Sequence, residues 1–386
     1  MLFVLHIYRP ESELVEEVVR DVLKKLNLKT TSDLRGLVGI EKQIEQVQSL
    51  LCINGDSQGK DVRIIGIWGM GGIGKTTLAD AVFNNLSSQF EGHFFLANVR
   101  EESEKHGLNH LRNKLLSGLL GEEYLNAGTP SIGSTFVRLR LRRKKVLIVI
   151  DDVSDSRQLE FLAIESDRFG LGSRIIITTR DVQVLRNIGA QEIYKVEELN
   201  FDEALQLFYL HALKNASPPA DYTTLSRSVV NYTKGNPLAL KVLGSSLYRK
   251  RKEEWESALK KLKKFPNKTI QNVLRVSYDG LDDDSKEIFL DIACFYKGTD
   301  VDCAKRILDD CGFFVEAGLG VLMDTSLVST MNNKLWMHDL IQEMGRTIVQ
   351  EQSIEEPGKR TRLWIPDDVY HVLKNKTVRP AATKHN

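Results

Sequence analysis

The hydrophobic pattern changes character twice along the chain. In "ESELVEEVVRDVLKKL" the apolar positions Leu14, Val15, Val18, Val19, Val22, Leu23 and Leu26 follow i, i+3, i+4 spacing, which predicts an amphipathic helix. A polar link, "NLKTTSDLRG", leads to "LVGIEKQIEQVQSLL", a turn running into a second helix. From residue 61 the apolar positions gather into short continuous runs. "VRIIGIWG", "HFFLANV", "KVLIVIDDV" and "SRIIITT" predict strands, and "KTTLADAVFNNL", "HLRNKLLSGLL" and "SRQLEFLAI" predict helices among them. That alternation predicts an α/β domain, a parallel sheet flanked by helices.

Past about residue 196 the strand-like runs largely stop. "FDEALQLFYLHAL", "YTTLSRSVVNYT", "PLALKVLGSSL" and "EEWESALKKL" predict four successive helices and a small bundle. Further helices are expected in "IQNVLRVSYDGL", "DSKEIFLDIACF", "VDCAKRILDDC" and "VEAGLGVLMDTS". Two short strands, "LVSTM" and "KLWMH", then flank Asn332 and Asn333 ahead of a last helix after Asp339. Helices closed by a small hairpin resemble a winged-helix domain. The expected organisation is a helical linker (1–34), the sheet domain (35–195), the helical bundle (196–270), the winged-helix-like unit (271–375) and a polar tail (376–386). No internal repeat of 20–50 residues is present.

Charge narrows the choice of partners. Lys and Arg number 53 against 52 Asp and Glu, a net charge of +1, so no global field draws the chain to nucleic acid or an anionic membrane. The basic stretch "RLRLRRKK" (138–145) lacks interleaved aromatics and reads as a solvated helix end. Cys52, Cys294, Cys303 and Cys311 show neither a disulfide framework nor a zinc spacing. They read as reduced thiols, mostly in cores, of a cytosolic protein. No run approaches the length of a membrane helix, and "MLFVLHIY" lacks the basic flank and cleavage site of a signal peptide.

The chemistry begins at "GMGGIGKTT", between a predicted strand and a predicted helix. It matches G-x-x-x-x-G-K-[ST] through Gly69, Gly74, Lys75 and Thr76. Such a loop turns successive backbone N–H groups inward, where a Cβ would block phosphate oxygens. The helix N-terminus adds positive potential, Lys75 can reach the outer phosphates, and the Thr76 hydroxyl can ligate Mg2+. The strand "KKVLIVIDDV" delivers Asp151 and Asp152 to the carboxyl edge of the sheet. Asp151 suits the magnesium. Asp152 either orients an attacking water or caps the next turn. "GSRIIITTRD" sets Arg180 where a terminal phosphate would arrive, or beside Asp181 or Glu197 as an ion-pair partner. Asn267-Lys268 and Asn375-Lys376 lack the Asp of the guanine-reading Asn-Lys-x-Asp element, which favours adenine.

The ordered set "LVGI", "GMGGIGKTT", "FFLANVREESEKHGLNHLRNKLL", "KKVLIVIDDV", "GSRIIITTRD", "GNPLALKVLGSSL", "FLDIACFYKG" and "MHDLIQEMGRTIV" resembles the NB-ARC module of plant disease-resistance proteins of the TIR-NBS-LRR type. The resemblance runs from about Glu11 to about Lys376. It implies that Val38 and Gly39 contact adenine through their backbone. Gly71, Gly72, Ile73, Gly74, Lys75, Thr76 and Thr77 would cradle the phosphates, and Asp151 would serve magnesium. Arg180 becomes the sensor, while Pro237 and Leu238 wall the base. Proline at 237 equally suits the first turn of a helix. His338 of "MHD" is implied to reach the β-phosphate of ADP. Asp339 orients that imidazole or caps the helix, and the two roles can coexist.

The resemblance implies an ADP/ATP switch in plant defence, closed with ADP and open and self-associating with ATP. Hydrolysis is slow or absent, and TIR- or LRR-bearing partners and a cytoplasmic or nuclear setting are implied. No TIR domain or leucine-rich repeat lies within the chain, so neither NAD cleavage nor ligand sensing is carried over. Competing readings are a constitutive Mg-dependent ATPase, a winged-helix transcriptional regulator and a nucleotide-bound scaffold.

Overall fold

A computed structural model describes residues 36–52, 61–120, 135–214, 219–262 and 265–375. The helix predicted within 1–34 and the tail after 375 lie outside them. The chain divides into two compact units. One holds the described residues of 1–65, 76–151 and 157–177, and the other holds 66–75, 152–156 and those from 178 onward.

Strands β1 (Arg63–Trp68), β2 (Gly92–Leu96), β3 (Val146–Val153), β4 (Arg174–Thr179) and β5 (Glu192–Lys195) form one sheet in the order β2-β3-β4-β1-β5. β2 and β3 pair in parallel, Gly92 opposite Val146 through Leu96 opposite Ile150. The continuous apolar runs have a direct cause: Val146 to Ile150 and Ile175 to Ile177 are wholly buried, as strands covered on both faces require. Helices α1 (Glu41–Leu50), α2 (Lys75–Leu86), α3 (Val99–His106), α4 (Leu108–Leu120), α5 (Thr135–Arg142), α6 (Ser156–Phe161) and α7 (Val182–Asn187) accompany the sheet. Arg138 and Arg142 of α5 pair with Asp167, so part of the basic stretch is neutralised locally. In the first unit the Arg174 guanidinium, 1% exposed, donates to the carbonyls of Leu51, Cys52, Asp61 and Ser173.

The second unit continues with α8 (Phe201–Ala212), α9 (Ala220–Thr233), α10 (Pro237–Leu247) and α11 (Lys252–Leu262). A reciprocal cap between Asn200 and Glu203 starts α8. Trp255 anchors the bundle, 1% exposed, its indole N–H donating to the Leu247 carbonyl at 2.9 Å. Next come α12 (Lys268–Asp279), α13 (Asp283–Asp291), α14 (Val301–Asp310) and α15 (Val315–Asp324), then hairpin strands β6 (Ser329–Met331) and β7 (Lys334–Trp336). The chain goes on through α16 (Asp339–Glu351) to α17 (Pro366–Asn375). Asn332 and Asn333 both adopt positive φ, 53° and 56°, the conformation a two-residue hairpin turn demands. Asn267 is spent as the N-cap of α12.

Past α13 the helix widens into a π turn at Ile292–Tyr296. The Ala293 carbonyl accepts from Gln342 at 3.0 Å and Arg346 at 3.2 Å, both on α16. The loosened turn thus welds α13 to α16. One expectation fails: only Cys294 is buried, while Cys52 and Cys303 are half-buried and Cys311 is exposed. The amphipathic α14 turns Ala304 inward and leaves its flanking Cys303 and Cys311 outside the core. Among the described residues no helix is long and apolar enough to cross a membrane.

Candidate functional site

The glycine-rich loop joins β1 to α2. Gly72 and Gly74 have φ of +77° and +103°, a region closed to most side chains. A Cβ on Gly72 would also stand 2.8 Å from the Leu238 Cβ. Ile73, 3% exposed, anchors the loop in the core. Lys75 is 8% exposed, and its Nζ donates to the Gly69 carbonyl at 2.8 Å and the Met70 carbonyl at 3.0 Å. An ammonium turned back over its own loop supplies the positive charge an anion needs there.

The start of α10 covers this loop. Leu238 donates its backbone N–H to the Gly72 carbonyl at 3.1 Å. Asn236, 1% exposed, caps the helix by accepting from Ala239 N–H at 3.0 Å, and its Nδ2 donates to the Gly71 carbonyl at 3.4 Å. Pro237 is the first helical residue, where its fixed φ belongs. Asn236 lies inside the quoted "GNPLAL", yet its contact with the loop was not legible in the pattern.

Arg180 packs on the other flank. Its Nη1 is 2.8 Å from where a Gly71 Cβ would stand and donates to the Val273 carbonyl of α12 at 2.6 Å. Its Nε is 3.6 Å from Asp152 Oδ1. Of the residues expected as alternatives, Asp181 caps α7 by accepting from Gln183 N–H at 2.8 Å. Glu197 faces Lys195. Asp152 lies within β3, with φ +56°, its N–H donating to the Thr178 hydroxyl at 2.9 Å.

Within the first unit, the Thr76 hydroxyl donates to Asp151 Oδ1 at 2.8 Å, with Asp151 wholly buried. These are the hydroxyl and carboxylate that a magnesium ion beside phosphates takes as ligands. Asp80, one turn on, is held above the usual carboxylate range by burial, against an Asn84 bond that lowers it, with Asp151's charge adding to the rise. Thr77 is exposed on the first turn of α2. Val38 and Gly39 precede α1 in the same unit, Gly39 with φ +69°.

His338 is 2% exposed and lines a cavity of about 400 Å³ with Lys234, Gly235, Phe201, Trp336 and Asp339. Its Nδ1 accepts from Leu340 N–H at 3.1 Å, so the histidine itself caps α16. Burial lowers its pKa to about 4, against the opposing charge of Asp339 and the Lys234 backbone. With Nδ1 accepting, the neutral ring carries its proton on Nε2, a buried atom turned toward the Lys234 backbone. The Asp339 carboxylate neither caps the helix nor bonds the imidazole. It bonds Lys297 and lies 3.5 Å from the Lys234 ammonium. Burial would raise its pKa, but these two lysines hold it below the usual value. No motif singles out the lysines, and only the fold brings them to Asp339.

The arrangement defines a class first: a P-loop NTPase fold, a sheet whose β1 ends in a glycine loop opening a helix. A Walker-type ATPase of Pyrococcus abyssi shares that fold, with a TM-score of 0.55 over 80% of this chain and 96% of that one at 14% identity. Residues 40–217 match the NB-ARC domain, and residues 282–353 match the winged-helix domain of Roq1-like disease resistance proteins. Disease resistance protein RPV1 of Vitis rotundifolia is 44% identical over 366 residues, 95% of this chain and 26% of that protein. RUN1 of the same species is 43% identical over 94% of this chain and 27% of that protein. TMV resistance protein N of Nicotiana glutinosa is 43% identical over 96% of this chain and 32% of that protein. The chain belongs to the NB-ARC family of plant disease-resistance proteins, and spans about a quarter to a third of the length of these relatives.

Proposed function

We propose that the chain is an adenine-nucleotide switch in plant defence signalling, closed with ADP and open and self-associating with ATP. The observation that carries the reading is the double grip on one loop. Arg180 meets Gly71 from the sensor strand, while Asn236 and Leu238 bond the Gly71 and Gly72 carbonyls from the helical bundle. A nucleotide that binds the two arrangements with different affinity would shift the population between them.

In this reading the amides of Gly71 to Gly74 and the Lys75 ammonium hold the phosphates. Thr76 and Asp151 hold magnesium, which when bound would neutralise charge between phosphate oxygens. Thr77 extends the phosphate cradle and Ile73 fixes its depth. Val38, Gly39, Pro237 and Leu238 receive the base. His338 offers its neutral Nε2–H to a phosphate oxygen.

Turnover is secondary in this proposal. Asp152, the carboxylate suited to activating water, faces the Arg180 guanidinium instead, which favours a slow or silent site over a constitutive ATPase. The transcriptional alternative is disfavoured by charge: α14 and α15 carry Asp302, Asp309, Asp310, Glu316 and Asp324 against Lys305 and Arg306 alone. The cytoplasm or nucleus is the proposed setting, with TIR- or LRR-bearing chains as proposed partners.

The test is to identify the nucleotide that leaves the purified chain on denaturation, with Lys75→Ala as control. ADP at near-unit stoichiometry in the parent and its loss in the variant is the expected result. A parent that carries no nucleotide and binds neither ADP nor ATP sinks the reading.

A further inference from the structure

Trp68 is the last residue of β1, one position before the glycine loop. Its indole N–H lies 3.1 Å from the Arg180 carbonyl and 3.0 Å from the Asp324 carbonyl. One proton is therefore shared between the sensor strand's end and the C-terminus of α15, a three-centre bond. The Asp324 carbonyl is one of the four that a helix leaves unbonded at its end, so the indole satisfies a group that otherwise requires water.

A second bond reinforces the first. The Arg186 guanidinium of α7 meets the Asp324 carboxylate at 2.8 Å, a cation at the C-terminal end of α15 where the helix dipole favours it. A third group opposes them. Asp181, the cap of α7, is held above the usual carboxylate range by burial foremost, with the Asp324 charge adding to the rise. The junction is thus closed by Trp68 and Arg186 and loosened by like charges.

We propose that Trp68 is a positioning residue that couples the sensor Arg180 to the winged-helix domain, so that release of α15 accompanies rearrangement of Arg180. The proposal rests on the switch reading above. Arg180 is held at both ends, its carbonyl by Trp68 and its guanidinium by the Val273 carbonyl. A terminal phosphate arriving beside Gly71 would compete for the guanidinium. The carbonyl end ties any resulting backbone movement to the indole, and through it to Asp324. No sequence motif marks Trp68 or Asp324, and Asp324 belongs to the segment matched by the winged-helix family, 282–353.

The experiment uses Trp68→Phe in the whole chain, which keeps an aromatic ring but removes the N–H along with part of the indole's bulk. Arg186→Ala therefore serves as the second arm, which leaves the ring in place. Hydrogen exchange of the backbone amides at 322–328 reads the latch directly and needs no nucleotide. Separate titrations with ADP and a non-hydrolysable ATP analogue read the coupling. Losing a single hydrogen bond should speed exchange at 322–328 by roughly three- to tenfold and shift the ATP-analogue-to-ADP affinity ratio toward the triphosphate by a similar factor. Arg186→Ala, an exposed change that spares the fold, should move both readouts the same way to a smaller extent. Unchanged exchange in both variants overturns the latch. Faster exchange with an unchanged affinity ratio overturns the positioning role. A parent that binds no nucleotide fails the switch reading instead, and the exchange arm reports on the latch even then.

Discussion

The Tyr232 phenol of α9 donates to Glu343 of α16 at 2.5 Å, joining the helical bundle to the winged-helix domain inside the second unit. Gln271 of α12 adds a second donor to the same carboxylate oxygen at 3.4 Å. Burial raises both pKa values, and at Glu343 the phenol's bond opposes the rise. Tyr232→Phe removes the main donor to a half-buried carboxylate, with an expected cost of about 1–3 kcal/mol. The sign with pH is set by Glu343. Its folded pKa lies above the unfolded value and climbs further without the phenol, so stability falls as pH rises through the carboxylate range. Urea unfolding at pH 5 and pH 8 should show a larger deficit for the variant at pH 8. Equal midpoints for variant and parent at both values would refute the bridge.

Acid should act on the molecule through His338. Its folded pKa, lowered to about 4 by burial, lies below the ordinary histidine value of 6.5. The unfolded chain therefore binds the extra proton first, and stability is lost as pH falls from about 6.5 to about 4. The full effect is at most ~3 kcal/mol. His338→Asn keeps a side-chain acceptor for Leu340 N–H, since asparagine is a favoured cap, but cannot titrate. Melting temperatures recorded across that pH window should fall less steeply for the asparagine variant. Parallel curves would show that His338 does not govern the acid response.

Asp339→Val tests the charge cluster beside it. The carboxylate bonds Lys297 and sits near Lys234, and all three groups keep contact with solvent. The effect on stability should therefore be small, below about 1 kcal/mol. The effect on nucleotide should be larger, because two ammonium groups are left without their carboxylate beside the His338 cavity. The bound fraction should shift from ADP toward ATP, measured by chromatography of the nucleotide released from variant and parent. The same ADP fraction in both would remove Asp339 from the switch.

The elements that carry the glycine loop and Arg180 were legible because their signals are local. "GMGGIGKTT" declares its turn through its glycines, and "KVLIVIDDV" its burial through five apolar residues ahead of Asp151. "PLALKVLGSSL" corresponds to α10 from Pro237 to Leu247. What escaped was short, polar or assembled at long range. α3 buries only Val99, so "VREESEKH" shows no apolar stripe. β5 is four residues with no buried position. Arg180 reaches Val273 and Trp68 reaches Asp324 across 93 and 256 positions of sequence. No spacing rule encodes such pairs, because neither residue's local pattern depends on the other. The Asp152–Arg180 pairing was missed for the same reason: the strand pattern places Asp152 at the sheet edge, to orient a water or to cap the next turn, and carries no sign of Arg180.

Two glycines of the loop separate strain from contact. Gly72 and Gly74 both have positive φ, but an added Cβ meets nothing within 4 Å at Gly74. At Gly72 it stands 2.8 Å from the Leu238 Cβ and 3.3 Å from Asn236 Oδ1. Gly74→Ala should therefore cost only the backbone strain, about 1–2 kcal/mol. Gly72→Ala must in addition push the first turn of α10 away, lengthening the Leu238 N–H bond to the Gly72 carbonyl now at 3.1 Å. Thermal unfolding should rank Gly72→Ala as the less stable variant. Hydrogen exchange should place the extra loss in the first turn of α10, with the amides of Leu238 and Ala239 exchanging faster than in Gly74→Ala. Equal exchange at those two amides would mean that α10 does not rest on the loop.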